Sequence, residues 1–157
     1  MVKLSKLLAL VCSSGFSVGL LLTSIVLVES WGAMEPAAAI DWFVEFGLPL
    51  GIVMVPFGGL AAVFAVVTLV LCLFSTSTRQ QTVSWLVVAV LTVCTMALLP
   101  LYFWDANTLF FDGIIQPSDV AVEISRWSFW NWVRTGVSIT ATALMLSALI
   151  RENAESG

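Results

Sequence analysis

The side chains best suited to binding chemistry lie in one short stretch, RWSFWNWVRT at residues 126–135, and just beyond it. Four of them share one face of an α-helix, because they follow at intervals of four, three and four residues: Trp127, Asn131, Arg134 and Ser138. A guanidinium offers N–H donors to an anion or a carbonyl oxygen, and an amide can both donate and accept. The pattern predicts a polar stripe that either orients a ligand or only joins helix ends.

The position of Arg134 predicts that it faces other helices. It lies about one turn or more inside an apolar run, where a guanidinium facing lipid costs about 2.5 kcal/mol or more. We therefore expect an ion pair with a carboxylate from the end of another run, preferably Asp105 or Glu29, with Glu45 as a further candidate. Asn107 leaves the third apolar run close to Asp105 and is expected at the same site.

Metal and cofactor chemistry lacks its usual side chains in this sequence. There is no histidine, and the three cysteines lie in apolar runs without C-x-x-C spacing: Cys12, Cys72 and Cys94. Haem, Cys/His zinc sites and histidine-ligated copper or iron therefore lose their ligands. We predict no metal and no cofactor, and no catalytic residue is identified. Nor is there a basic patch that would bind nucleic acid.

The elements that must position the stripe are membrane helices. The chain has 157 residues, of which 60% are hydrophobic and 10% are charged, a composition foreign to soluble domains of this size. Four apolar runs, each long enough at about 1.5 Å per residue to cross a hydrocarbon core of about 30 Å, cover about residues 7–28, 50–74, 83–103 and 129–150. The sequence predicts an all-α membrane protein, a single domain over residues 1–157 that forms a four-transmembrane-helix bundle in a lipid bilayer.

Charge asymmetry predicts the orientation. One side of the four runs carries four basic and two acidic residues, a net charge of +2: Lys3, Lys6, Arg79 and Arg151, with Glu152 and Glu155. The other side carries two basic and eight acidic residues, a net charge of −6. Because short basic loops stay cytoplasmic, we expect both termini to be cytoplasmic and the protein to be an integral multi-pass protein of a bacterial plasma membrane.

The two longer loops carry helix signals. Pro36 followed by AAAIDWFVEF predicts a short amphipathic helix at the outer interface, or an extension of the second span bent at Pro49. In the second loop, VAVEISRW predicts that the last helix begins outside the membrane and runs in continuously.

Small and hydroxyl residues predict where the helices touch. Glycines at G-x-x-x-G or similar spacing let helix backbones approach closely, in the first run at Gly15 and Gly19 and in the second at Gly51, Gly58 and Gly59. Interhelical hydrogen bonds are expected from three pairs of hydroxyls: Ser13 and Ser17, Thr92 and Thr95, Ser138 and Thr142.

The motif W-x-x-x-N-x-x-R-T that opens the last helix resembles the closing motif of the anthrone-oxygenase-like family of small four-helix membrane proteins. PLYFWDAN, residues 100–107, has the proline and leucine of the family's third-helix ending, with its asparagine later, at Asn107. Pro36 matches a proline that follows the first helix. The resemblance implies a four-helix membrane bundle with four ligand-orienting groups: Arg134, Asn131, Asn107 and Trp127. Some fungal members are associated with cofactor-independent oxygenation of anthrones to anthraquinones, whereas most bacterial members have no assigned activity.

Two kinds of function fit these observations. The first is a structural or accessory membrane subunit that docks on a membrane-protein partner or forms a homo-oligomer. The second is a cofactor-independent oxygenase of lipid-soluble anthrone or phenolic substrates, for which the protein orients a hydrophobic small molecule and stabilises its anion beside Arg134. The oxygenase hypothesis predicts a pocket between the outer helix ends, formed by Trp127, Trp104 and Phe103 with Asn107 and Arg134 at its floor.

Overall fold

A computed structural model describes the backbone of residues 2–155 and the side chains of residues 2–154. Met1, residues 156–157 and the side chain of Glu155, which belong to the predicted domain, lie outside the described residues. The described chain forms four helices and no strand: α1 Val2–Gly32, α2 Pro36–Leu73, α3 Arg79–Phe111 and α4 Val120–Glu155. All four are long and apolar enough to cross a membrane, which confirms the all-α, four-helix prediction and fits a small multi-pass membrane protein.

The helices form a ring in which α1 and α3 each pack against α2 and α4. The first turns of α1 and the last turns of α4 lie at one end of this bundle, because Lys6 Nζ is 2.6 Å from a carboxylate oxygen of Glu152. We call this the terminal end. The opposite end, which carries the 33–35 and 112–119 connections, is called the aromatic end. That the terminal end is cytoplasmic stays a prediction.

The predicted separate interfacial helix in the first loop is wrong, because residues 36–73 form one continuous α-helix. Pro36 occupies its first turn, as expected. Pro49 and Pro56 lie inside the helix, where each removes one backbone donor without ending it. The first turns are held onto the end of α1 by Trp31, whose Nε1 donates to the Ala39 carbonyl oxygen at 2.9 Å. The alternative, an extension of the second span, is the arrangement that forms.

Helix α4 begins at Val120, well before the apolar run that starts near residue 129, as predicted. Its first turns are tied to α3 by Glu123, which accepts a hydrogen bond from the Tyr102 hydroxyl at 2.8 Å. Arg126 donates to the other oxygen of the same carboxylate at 3.1 Å. The polar stripe therefore starts on a helix that is already anchored before it enters the bundle.

Three of the five predicted glycine contacts form. A Cβ at Gly19 would lie 2.9 Å from Met54 Cε, and one at Gly15 would lie 3.1 Å from the ring of Phe57. A Cβ at Gly58 would lie 2.5 Å from Met96 Sδ. The prediction is wrong for two glycines of α2, at which a Cβ would meet no atom within 4 Å: Gly51 and Gly59. Gly51 instead lines a cavity.

Hydroxyl groups join α1 to α4 along the middle of the bundle, as predicted. Ser17 Oγ lies 2.7 Å from Ser138 Oγ, and Ser13 Oγ lies 2.7 Å from Thr142 Oγ1. Each pair satisfies two polar groups that lipid could not. The prediction is wrong for two hydroxyls of α3, which donate to carbonyl oxygens of their own helix: Thr92 and Thr95.

Candidate functional site

A cluster of buried aromatic rings closes the aromatic end of the bundle. Trp31, only 2% exposed, lies at its centre and contacts rings from each of the other three helices. Its ring centre is 5.0 Å from that of Phe43, 4.9 Å from Phe110 and 5.8 Å from Trp127. Offset and edge-to-face pairs of this kind add about 0.5–1.5 kcal/mol each beyond the buried area. The cluster therefore fixes the four helix ends relative to one another.

Two π-helical turns shape the region below this cluster. They occupy Thr23–Leu27 in α1 and Leu99–Phe103 in α3. A π-turn inserts an extra residue into an α-helix and so changes the direction in which neighbouring side chains point, and such turns are frequent at functional sites. Here they carry Ser24 and Phe103, and both of these residues contact the polar stripe of α4.

The polar stripe predicted on α4 faces the bundle. Asn131 is fully buried, and its Nδ2 donates to Ser24 Oγ at 2.7 Å. Arg134 Nη2 donates to Asn131 Oδ1 at 2.7 Å. One turn or more towards the aromatic end, Trp127 Nε1 donates to Asn107 Oδ1 at 2.9 Å. The structure thus brings the four predicted residues into two hydrogen-bonded pairs. The sequence pattern did not predict which residue would bond to which.

Arg134 has an aromatic neighbour where the sequence predicts a carboxylate. Its guanidinium carbon lies 4.0 Å from the ring centre of Phe103 and 5.9 Å from that of Phe16. Such cation–π contacts stabilise a desolvated cation by about 2 kcal/mol. The guanidinium is therefore held by a ring face and one amide.

The predicted ion pair of Arg134 is wrong for all three candidate carboxylates. Among the side chains of residues 2–154 the ion pairs are Lys6 with Glu152 and Arg126 with Glu123. The three candidates are exposed at the surface of the bundle: Asp105, Glu29 and Glu45. The physical reason is desolvation, because a carboxylate drawn in to reach Arg134 would lose its hydration at a cost of several kcal/mol.

Arg134 also has an unused donor. Its Nε is buried and makes no hydrogen bond to any described residue. Trp85 Nε1, near the terminal end, is the other buried side-chain donor without a partner in the described part of the chain. Arg134 lines a cavity that all four helices form, and Trp85 does not. Because this Nε is covered by surrounding atoms, the donors of Arg134 that can meet a molecule in the cavity are those of Nη1 and the second N–H of Nη2.

The cavity beside Arg134 has a volume of about 100 Å³ and sits in a wider depression that, with its open space included, measures about 790 Å³. All four helices contribute. Three of the predicted site residues line it, Asn107, Trp127 and Arg134, and Asn131 lies behind Arg134. Phe103 lines it as expected, but Trp104 does not, because it points outward and is 67% exposed.

The remaining wall of the cavity is almost entirely apolar. It is formed by aromatic rings, aliphatic chains, two methionines and two glycines, together with the hydroxyls of Thr23 and Thr95. Both hydroxyls donate to carbonyl oxygens of their own helices. The lining contains no carboxylate, lysine, cysteine or tyrosine, so Arg134 is its one charged group. Such a wall can orient a molecule and stabilise negative charge, but it has no group that accepts a proton.

Metal binding finds no support in the described residues, where no group of three histidine, cysteine or acidic side chains converges. Ser24 is the site residue that sequence reasoning missed. Its signal was present, because Ser13, Ser17 and Ser24 follow at intervals of four and seven residues and so share one face of α1.

Comparisons of the chain with known protein families, with curated proteins and with solved structures give no match. The resemblance to the anthrone-oxygenase-like family therefore stays a prediction.

Proposed function

We propose that this chain is a small membrane protein that binds a lipid-soluble small molecule in the cavity at the aromatic end, with the polar group of that molecule at Arg134. The single observation that supports the proposal is the desolvated guanidinium of Arg134, whose Nη1 donates to no described residue and which lies at the wall of an otherwise apolar cavity. A buried donor without a partner costs about 1–3 kcal/mol, and more when the group is charged. A bound acceptor would remove that cost.

The cavity has the composition of a small-molecule site. Such sites are mostly apolar and aromatic, with a few polar groups that set orientation. Here the indole of Trp127 and the ring of Phe103 supply flat apolar surface, while Arg134 and Asn107 supply polarity. Asn131 positions Arg134 from behind, through the 2.7 Å hydrogen bond to Nη2.

A matched pair of glycine substitutions on α2 tests this proposal. Gly51 lines the cavity and Gly59 does not, yet at both a Cβ would meet open space. Gly51→Phe should therefore fill the mouth of the cavity without disturbing helix packing, and Gly59→Phe should leave the cavity unchanged. Four probes are measured by equilibrium binding in nanodiscs: hexadecanoate, methyl hexadecanoate, 1-naphthol and a naphthoquinone.

We expect at least one probe to lose tenfold or more in affinity in Gly51→Phe and to keep its affinity in Gly59→Phe. A loss of that size corresponds to removing about 1.4 kcal/mol of binding free energy. If no probe distinguishes the two variants, the cavity is not a binding site and the proposal fails.

The second candidate function is cofactor-independent oxygenation of an anthrone or phenol in the same cavity. Arg134 at the cavity wall favours it, because a guanidinium stabilises the substrate anion from which an electron can pass to oxygen. The missing proton acceptor in the lining weighs against it, and so does the volume of about 100 Å³, which is small for a fused tricycle such as an anthrone. The test is anthraquinone formation from anthrone under oxygen, corrected for the reaction in empty nanodiscs. If Arg134→Ala leaves turnover unchanged, this candidate is excluded.

An accessory role with a membrane-protein partner, or with a second copy of the chain, is compatible with ligand binding. Long apolar side chains cover the outer faces of all four helices, where they meet lipid or another helix. Copurification in mild detergent tests this role. A monodisperse species without partner or self-association would count against it.

We also propose that the terminal end faces the cytoplasm of a bacterial cell. The proposal rests on the four basic residues at that end, Lys3, Lys6, Arg79 and Arg151, and on the positive-inside rule. A reporter that is active only in the cytoplasm should work when it is fused at the C-terminus and should fail when it is inserted in the 112–119 connection. The reverse result would invert the topology.

A further inference from the structure

We infer that the ligand is a monocarboxylate with a single apolar chain, whose carboxylate binds Arg134 and whose chain leaves the cavity along α2. This inference rests on the proposed binding function and names the class of molecule that the same cavity accepts. Three observations carry it: the missing counter-charge of Arg134, its free hydrogen-bond donors, and the small volume of the cavity.

The uncompensated positive charge of Arg134 favours an anionic ligand. Arginine stays protonated in proteins, and this one lies inside an apolar helical segment with no carboxylate of the described chain within ion-pair distance. The Phe103 ring offsets part of the desolvation cost but brings no negative charge. A neutral carbonyl would satisfy one donor and leave the charge uncompensated. A monoanionic ligand would compensate it fully.

The donors of Arg134 suit a carboxylate. Of its five N–H groups, one on Nη2 is used by Asn131 Oδ1 and the Nε–H is covered, which leaves both N–H groups of Nη1 and one of Nη2 without a partner in the described residues. Two oxygens of one carboxylate can accept from two neighbouring N–H groups of a guanidinium at once, which makes this pair stronger than a single hydrogen bond. Because Asn131 and Phe103 already fix the guanidinium, little rotamer freedom remains to be lost on binding.

The size of the cavity excludes a bulky body. A cavity of roughly 150 Å³ holds one benzene molecule, and this one measures about 100 Å³. A fused polycyclic acid would not fit inside it, whereas a carboxylate with the first carbons of an alkyl chain would. The rest of the ligand's alkyl chain must then extend through the wider depression.

The exit lies along α2. Val55 is the one lining residue that is exposed, at 37%, whereas the lining residues of α1, α3 and α4 are buried or half-buried. Gly51 stands next to it, one turn towards the aromatic end, and leaves the mouth without a side chain. An unbranched alkyl chain of the ligand that leaves the cavity between Gly51 and Val55 would continue among the apolar side chains of α2, such as Ile52, and the lipid around them.

The closing experiment compares an acid with its ester at equal chain length. Binding of radiolabelled hexadecanoate and methyl hexadecanoate is measured in nanodiscs with the unmodified protein, Arg134→Gln, Arg134→Lys and Gly51→Phe. Hexadecyl phosphate and 2-anthroic acid, a tricyclic carboxylate, serve as competitors. We expect the acid to bind tenfold or more tighter than the ester, since hydrogen bonds to charged groups contribute more than neutral ones. Arg134→Gln should remove this preference and Arg134→Lys should keep it.

Each outcome separates the ligand class from the binding function. If acid and ester bind equally and both lose affinity in Gly51→Phe, the binding function stands and the carboxylate inference is overturned. Stronger competition by hexadecyl phosphate or by the tricyclic acid than by hexadecanoate also overturns it. If neither Arg134 variant folds, the ratio of the affinities of the unmodified protein for hexadecanoate and for its methyl ester tests the carboxylate inference. If Gly51→Phe weakens the binding of neither hexadecanoate nor its methyl ester, the carboxylate inference fails. The proposed binding function is then tested by 1-naphthol and the naphthoquinone alone.

Discussion

The guanidinium carbon of Arg134 lies 4.0 Å from the centre of the Phe103 ring, and no described carboxylate lies within ion-pair distance of Arg134. An arginine inside a membrane bundle ordinarily pairs with another ionisable side chain or with backbone carbonyl oxygens. Here a ring face holds one side of the cation and Asn131 holds one edge, so Nε remains without a partner. This arrangement keeps the positive charge available to a bound molecule.

Replacing Phe103 by leucine should weaken binding of an anionic ligand more than it weakens the fold. Leucine keeps most of the apolar volume but removes the ring face, and with it about 0.5–2 kcal/mol of cation–π stabilisation. Arg134 should then adopt more than one side-chain orientation. We expect hexadecanoate affinity in nanodiscs to fall by about threefold to tenfold.

Phe110→Leu is the matched control for this change. Phe110 is as buried as Phe103 and lies on the same helix, but it stacks in the Trp31 cluster and touches no cation. Its substitution should lower the melting temperature to a similar extent and leave the affinity for hexadecanoate within twofold. Equal losses of affinity in the two variants would show that Phe103 acts only through packing.

Asn131→Asp should strongly weaken the binding of an anionic ligand at Arg134 without unfolding the bundle. The amide oxygen that accepts from Arg134 Nη2 at 2.7 Å would be replaced by a carboxylate oxygen, which supplies the missing counter-charge within the protein. The Nδ2 donor to Ser24 Oγ and to the Leu20 carbonyl oxygen would be lost, at a cost of about 1 kcal/mol for each bond, which the new ion pair offsets. We expect a melting temperature close to that of the unmodified protein and at least a tenfold loss of hexadecanoate affinity.

Asn131→Leu separates the two roles of Asn131. It removes all three hydrogen bonds of the side chain, those with Arg134, Ser24 and the Leu20 carbonyl oxygen, and introduces no charge. It should therefore lower stability while leaving the positive charge of Arg134 uncompensated. Affinity for the acid should then fall less than in Asn131→Asp. If Asn131→Asp binds hexadecanoate as tightly as the unmodified protein does, Arg134 does not act through its charge.

The sequence predicts the fold and the inward face of the site because both depend on periodicity. Hydropathy identifies four membrane helices, and the spacing of Trp127, Asn131 and Arg134 places them on one helix face. A buried stripe on the last of four packed helices must contact the others. For the same reason, the hydroxyl contacts of Ser17 with Ser138 could be expected from composition and depth alone.

The sequence does not predict the partners of Arg134, since they depend on helix rotation and depth at the level of a single turn. The π-turn at Leu99–Phe103 alters the direction of Phe103, and no local pattern marks it except the proline at position 100. Likewise, the part of α2 before Pro49 packs against the end of α1 through the contacts of Trp31 with Ala39 and Phe43, which no local pattern predicts. Tertiary packing therefore decided both of these features, whereas the contact of Ser24 had a signal in the serine spacing of α1.

The hydroxyl contact between α1 and α4 should be measurable as a coupling. Ser17 Oγ and Ser138 Oγ lie 2.7 Å apart in a buried position. A double-mutant cycle with Ser17→Ala and Ser138→Ala should give a coupling energy of about 0.6 kcal/mol, the average for such bonds in membrane bundles. The measurement is the free energy of unfolding in mixed micelles. The same cycle on Ser17 and Thr140, which points outward and donates to its own helix, should give no coupling.

The buried ion pair at the terminal end should behave differently. Removing one partner should lower the free energy of unfolding, and removing the second partner as well should restore most of it. Lys6 is 4% exposed, and its Nζ lies 2.6 and 2.7 Å from the two carboxylate oxygens of Glu152. Lys6→Met leaves Glu152 in a poorly solvated position and should cost on the order of 3 kcal/mol of unfolding free energy.

Lys6→Met combined with Glu152→Met removes both charges and should recover most of that loss, because an apolar pair of similar volume needs no desolvation. Unfolding titrations in mixed micelles measure all three proteins. The opposite outcome, a double variant at least as unstable as Lys6→Met, would mean that Glu152 stabilises the terminal end through other contacts as well. Hexadecanoate affinity should stay within twofold in the double variant, since neither residue lines the cavity at the aromatic end.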